Sequence, residues 1–170
     1  MTATGEIMDW NHITELLKQD TKSAVERFLA GRPGESLGII GYVFELQNCY
    51  MTFEICAELR SGRGVESWNS GDFQHPAGLN ASGDWSAPFL AAIEMLDASD
   101  QDGNTEIIYA GLVGICVKAL AELAGTGTFG NWRNIKFNVA GIIAGAEDGD
   151  DVVKERDQKI RQLIAAASPN

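Results

Sequence analysis

The chain is poor in cations. Its 170 residues hold 13 Lys and Arg against 24 Asp and Glu, a formal net charge of −11. Nucleic-acid binding needs clustered Lys and Arg to neutralise phosphates, so this balance argues against that class of partner. It permits steering toward a basic protein, and it also suits simple solubility. Histidine is scarcer, with only His12 and His75. Cysteine is limited to Cys49, Cys56 and Cys116, an odd number in apolar runs without a CxxC spacing. That pattern does not read as a disulfide framework. It reads as buried reduced thiols of a cytosolic protein. The competing reading, a nucleophile or a zinc ligand, has only two histidines to draw on.

Other signatures are missing too. Residues 1 to 9 (MTATGEIMD) lack a basic region followed by an apolar stretch, so no secretory signal is expected. The longest apolar run, Ile107 to Leu123, includes Lys118 and Glu122 and reads as a buried helix instead of a membrane span. There is no GxSxG nucleophile elbow. Gly125-Thr-Gly-Thr-Phe-Gly130 follows a helical pattern and no Lys succeeds it, so it fails the phosphate-loop and dinucleotide fingerprints. Asp100, Asp102 and Asn104 begin like a calcium loop, but Thr105 stands where Gly is required and Gly111 where a bidentate Glu is required. That stretch reads as a solvated turn capping the next helix. Neither a metal nor a cofactor is expected.

What is present is an ordinary globular balance, 45% hydrophobic and 22% charged. The length suggests one domain over residues 1–170, with flexible ends at 1–8 and 167–170. Trp10, Ile13, Leu16, Leu17, Ala24, Val25, Phe28 and Leu29 follow a helical face, stopped by Gly31, Pro33 and Gly34. Residues 37–47 are apolar on both faces, as in a central strand. In residues 50–59, Met51, Phe53, Ile55, Ala57 and Leu59 alternate with Thr52, Glu54, Cys56 and Glu58, the period of a strand with one wet face. These two runs form a hairpin turning at Gln47-Asn48. Residues 60–86 are irregular and rich in Gly, tied down by Trp68, Phe73 and Trp85. Helices follow at 87–97 and 105–124, with a turn at 99–104, a strand at 135–144, and a last helix from Val152 to Ala166. This order predicts an α+β fold, with a small, mainly antiparallel sheet packed against helices.

Two carboxylate groups stand out. Glu54 and Glu58 share one face of the second strand, which could line a groove beneath the long loop or simply face solvent. Glu147, Asp148, Asp150 and Asp151 form the densest acidic run, fit either for the start of the last helix or for a basic partner. In the loop, the stretch Glu66-Ser-Trp-Asn-Ser-Gly-Asp-Phe-Gln-His-Pro76 places Trp68 and Phe73 as inward anchors, with Asp72 and His75 near the surface.

Trp68-Asn69-Ser70-Gly71-Asp72-Phe73-Gln74-His75, together with the order of elements over about residues 10 to 166, resembles the bacterial "domain of unknown function 4303" family. Phe73 stands where that family more often has Trp. The resemblance implies no catalytic residues. It implies a role like that of the similar-sized SUKH immunity proteins, which neutralise secreted bacterial toxins.

The expectation is therefore a cytoplasmic, non-enzymatic binding protein. Its partner is a basic toxin domain, met through Glu54, Glu58, Asp72, His75, Glu147, Asp148, Asp150 and Asp151. Neither nucleic acid nor membrane is expected as a partner, and the oligomeric state is open. Two alternatives stand beside it: an enzyme with its site between the 60–86 loop and the 37–59 hairpin, and an oligomeric scaffold built on the apolar strand edge.

Overall fold

A computed structural model describes residues 8–47, 50–73, 85–101, 103–143 and 145–167. The first helix, α1 (Trp10–Ala30), starts where the Asp9 carboxylate accepts the His12 N–H at 3.0 Å. Its inward stripe is Ile13, Leu17, Ala24, Val25 and Phe28. Thr21 lies on the same stripe, and its hydroxyl meets the Tyr42 hydroxyl at 2.6 Å, so both buried polar groups are paired.

The hairpin strands β1 (Leu37–Gln47) and β2 (Tyr50–Leu59) follow the predicted bounds and pair antiparallel. The predicted turn at Gln47-Asn48 lies partly outside the described residues. Gly38 makes a bulge, since Leu37 pairs with Leu59 and Ile39 with Glu58. A Cβ at Gly38 would stand 2.8 Å from the Arg60 Cα.

The strand β3 (Lys136–Ile143) lies parallel to β1, and the two-residue strand β4 (Ala146–Glu147) pairs with the end of β3. The order is β2-β1-β3-β4. Two of the three pairings are antiparallel, as expected, and the central one makes the sheet mixed. β4 escaped prediction because two residues carry no periodicity.

The helices α2 (Ala87–Gln101) and α3 (Thr105–Gly125) cover the inner face. Helix α2 runs past the predicted end at residue 97, because nothing before Gly103 breaks a helix. Gly103, at φ +89°, makes the stop. Asp100 thus lies inside α2, 4% exposed, and not in a solvated turn; Asp102 is outside the described residues. α3 is long and apolar enough to cross a bilayer, yet Ile108, Leu112, Ile115, Ala119 and Leu123 are buried in the core, as predicted for a central helix.

One core joins α1, the sheet's inner face, α2, α3 and the last helix, α4 (Asp150–Ala167). Trp85 and Phe89 stack at 4.3 Å there, and both contact Phe53. Of the ends expected to be flexible, Met8 packs against this core and Ala167 closes α4, while 1–7 and 168–170 lie outside the described residues.

Helix α4 does the work of a missing strand along the open edge of β3. Asp157 Oδ1 accepts the Phe137 N–H at 2.8 Å, and Arg156 Nη1 donates to the Val139 carbonyl at 2.9 Å. The Arg161 guanidinium donates to the Ile135 carbonyl, and Asp148 accepts the Gly141 N–H at 2.8 Å. Side chains thus satisfy four of the outward backbone groups between Ile135 and Gly141, which hinders strand addition here. The other edge is closed in part as well. Ile55, Cys56 and Ala57 on β2 have no exposure.

Candidate binding site

The helices cover one face of the sheet, and the other face divides in two. Its lower half holds Ile39, Gly41, Cys56, Glu58 and Asn138, and a strap of residues 60–73 lies over it. Phe73 packs on Ile39 and Cys56, with Val43 and Val65 at the margin. Phe73 is thus the inward anchor the sequence suggests. Glu58 corrects the sequence reading. It is 0% exposed, and its two oxygens accept the Leu59 N–H at 2.9 Å and the Gly64 N–H at 3.1 Å. A carboxylate so enclosed cannot meet a partner; it anchors the strap.

The upper half stays open. Register places Glu54 beside Val43 and Val43 beside Ala140, and a second row runs Thr52, Glu45, Ile142, Glu147. Glu54 is half-buried on this face. Where the open half meets the strap lies a small cleft of about 70 Å³. Val43, Ala140 and Ile142 form its floor, Trp68, Asn69 and Ser70 one wall, and Glu147, Asp148, Asp150 and Val153 the other.

The Trp wall is held by β3. Asn138 Nδ2 donates to the Trp68 carbonyl at 2.8 Å, and Lys136 Nζ donates to the Ser67 carbonyl at 3.0 Å. Lys136 and Lys154 approach the Trp68 ring at 4.7 and 5.9 Å from its centroid. Burial, with Lys154 adding a like charge, lowers the Lys136 ammonium pKa against the pull of Glu66 and Asp157. Trp68 itself is half-exposed and not a core anchor. Within the strap, Ser67 Oγ donates to Asp72 at 2.7 Å and Asn69 Oδ1 accepts the Gly71 N–H at 2.9 Å.

The acidic wall is not uniform. Asp148 accepts hydrogen bonds from the Tyr109 hydroxyl, from Arg156 Nη1 at 2.6 Å and from the Gly141 N–H. Burial alone would raise its pKa, but these three donors and the Arg156 charge outweigh it and hold the carboxyl below its ordinary value. Asp148 is therefore committed to joining β3, α3 and α4. Glu147 and Asp150 are exposed on the rim. Asp151 is exposed on the first turn of α4 and does not line the cleft. Asp72 is exposed on the strap, and His75 lies outside the described residues.

Of the predicted set, Glu147, Asp148 and Asp150 come together, Glu54 shares their face, and Glu58 is removed from it. Trp68, Val43, Ala140 and Ile142 were not expected in a site. The alternation of β3 could have flagged the last two, but only the parallel pairing puts them beside Val43. The described cysteines fit the reading of buried thiols. Both are fully buried, and burial pushes Cys56 up to about 12 and Cys116 well above its ordinary value.

No family model, no curated protein and no solved structure matches the chain.

Proposed function

We propose that this is a cytoplasmic binding protein of the immunity type, which neutralises a basic bacterial toxin by stoichiometric occlusion and not by catalysis. The observation that carries the reading is the convergence of Trp68 with Glu147 and Asp150 on one cleft of the sheet's outer face. A half-buried aromatic beside rim carboxylates over an apolar floor suits a Lys or Arg side chain of a partner. Glu54 extends the same acidic face, and the net charge of −11 favours fast encounter with a basic surface. The test is co-expression with the product of a neighbouring toxin gene. The expected result is a one-to-one complex on pull-down and protection of growth; failure on both counts sinks the reading.

A further inference from the structure

The strap differs in construction from the rest of the molecule. Its apolar cluster, Phe73 with Ile39 and Cys56, is separate from the main core on the other side of the sheet. Among the described residues, the backbone hydrogen bonds made by the N–H groups of 61–73 stay within the strap or reach Leu59, and none extends a strand ladder. Side-chain bonds that fasten it to the sheet include Gly64 N–H to Glu58, Lys136 to the Ser67 carbonyl, and Asn138 to the Trp68 carbonyl. The fit over Glu58 is close. A Cβ at Gly62 would stand 1.9 Å from its Oε1, and one at Gly64 2.5 Å from the Asp72 carbonyl oxygen.

A segment with few buried contacts and no ladder bonds belongs to the low-stability end of a fold. We infer that the strap opens as a unit while the main core stays folded, and that this opening is what brings Cys56 into contact with solvent. Cys56 lies directly under Phe73, whereas Cys116 sits on α3 in the main core. The two thiols therefore report two different openings. In the closed state burial keeps the Cys56 thiol protonated, so its chemistry runs through the open one.

The experiment is native-state alkylation of the reduced full-length chain with N-ethylmaleimide, resolved by site with mass spectrometry, across urea concentrations below the unfolding transition. Cys56 is expected to react at least about tenfold faster than Cys116. Its urea dependence should be weaker, because the slope follows the surface exposed. Glu58→Gln keeps one acceptor oxygen where the carboxylate offers two, so it should raise the Cys56-to-Cys116 rate ratio about threefold or more. Lys136→Met, which keeps the aliphatic stem and loses the Ser67 bond, should move the ratio in the same direction. Reading the ratio separates strap opening from a general loss of stability, which speeds both thiols alike. Equal rates with equal urea dependence, or a ratio that neither variant moves, overturns the inference.

Discussion

Gly111 lies where α3 meets the first turn of α1, and a Cβ there would stand 2.1 Å from the Trp10 ring. Gly114, one turn on, has nothing within 4 Å. The same substitution should therefore act in opposite directions. Gly111→Ala should cost about 1–3 kcal/mol through overpacking, and Gly114→Ala should add up to about 1 kcal/mol through helix propensity. Urea midpoints of the two variants check this. Asp148 sets a pH dependence at the same scale. Its folded-state pKa lies below the unfolded one. Its contribution is therefore complete above the ordinary carboxylate value near pH 4, and is lost as pH falls through the lowered value. Asp148→Asn should cost about 2–3 kcal/mol near neutral pH and flatten the acid side of the thermal stability profile.

At the scale of elements, the unusual piece is α4, whose side chains stand in for a strand along β3. Asp157 carries two roles: it accepts the Phe137 N–H at 2.8 Å and receives Arg161 Nε at 2.9 Å. Asp157→Ala leaves a buried N–H without its acceptor and should cost about 1–3 kcal/mol. Asp157→Asn, which retains an acceptor oxygen, should cost less. Amide exchange gives the decisive reading, since protection at Phe137 should fall further than at residues of β1 that keep their ladder partners. The contrast with the strap is instructive. Both cover the sheet through side-chain bonds, but α4 also contributes Ile160 and Ile164 to the main core, and the strap contributes nothing to it.

For the whole molecule, charge and shape meet at the open half of the outer face. Glu147→Lys with Asp150→Lys should weaken partner binding by about tenfold or more and reduce its salt dependence, because two rim carboxylates are reversed. The urea midpoint of this variant should fall only modestly, through the reversed charge at the start of α4, since both residues are exposed. Trp68→Ala should weaken binding comparably, as expected of an aromatic at the centre of a contact. Titration calorimetry at two ionic strengths with the purified partner measures each of these.

The alternation of residues 50–59 settled by itself that Phe53, Ile55, Ala57 and Leu59 face a core, because a period of two leaves a strand no other way to bury them. Helical spacing likewise settled the faces of α1 and α3, and the Gly-rich stops set most boundaries. The second face of β2 was another matter. Glu58 and Cys56 read as a wet face, yet both are fully buried, because the strap folds back over them and no local pattern records that contact. The network of Tyr109, Asp148 and Arg156 draws on residues 39 and 8 positions apart, and the cleft draws on three strands, the strap and a helix start. Periodicity reports the environment of one element at a time. Which acids pair internally, which stay free at a rim, and which tryptophan is left half-exposed were decided only when distant segments came to share the outer face of one sheet.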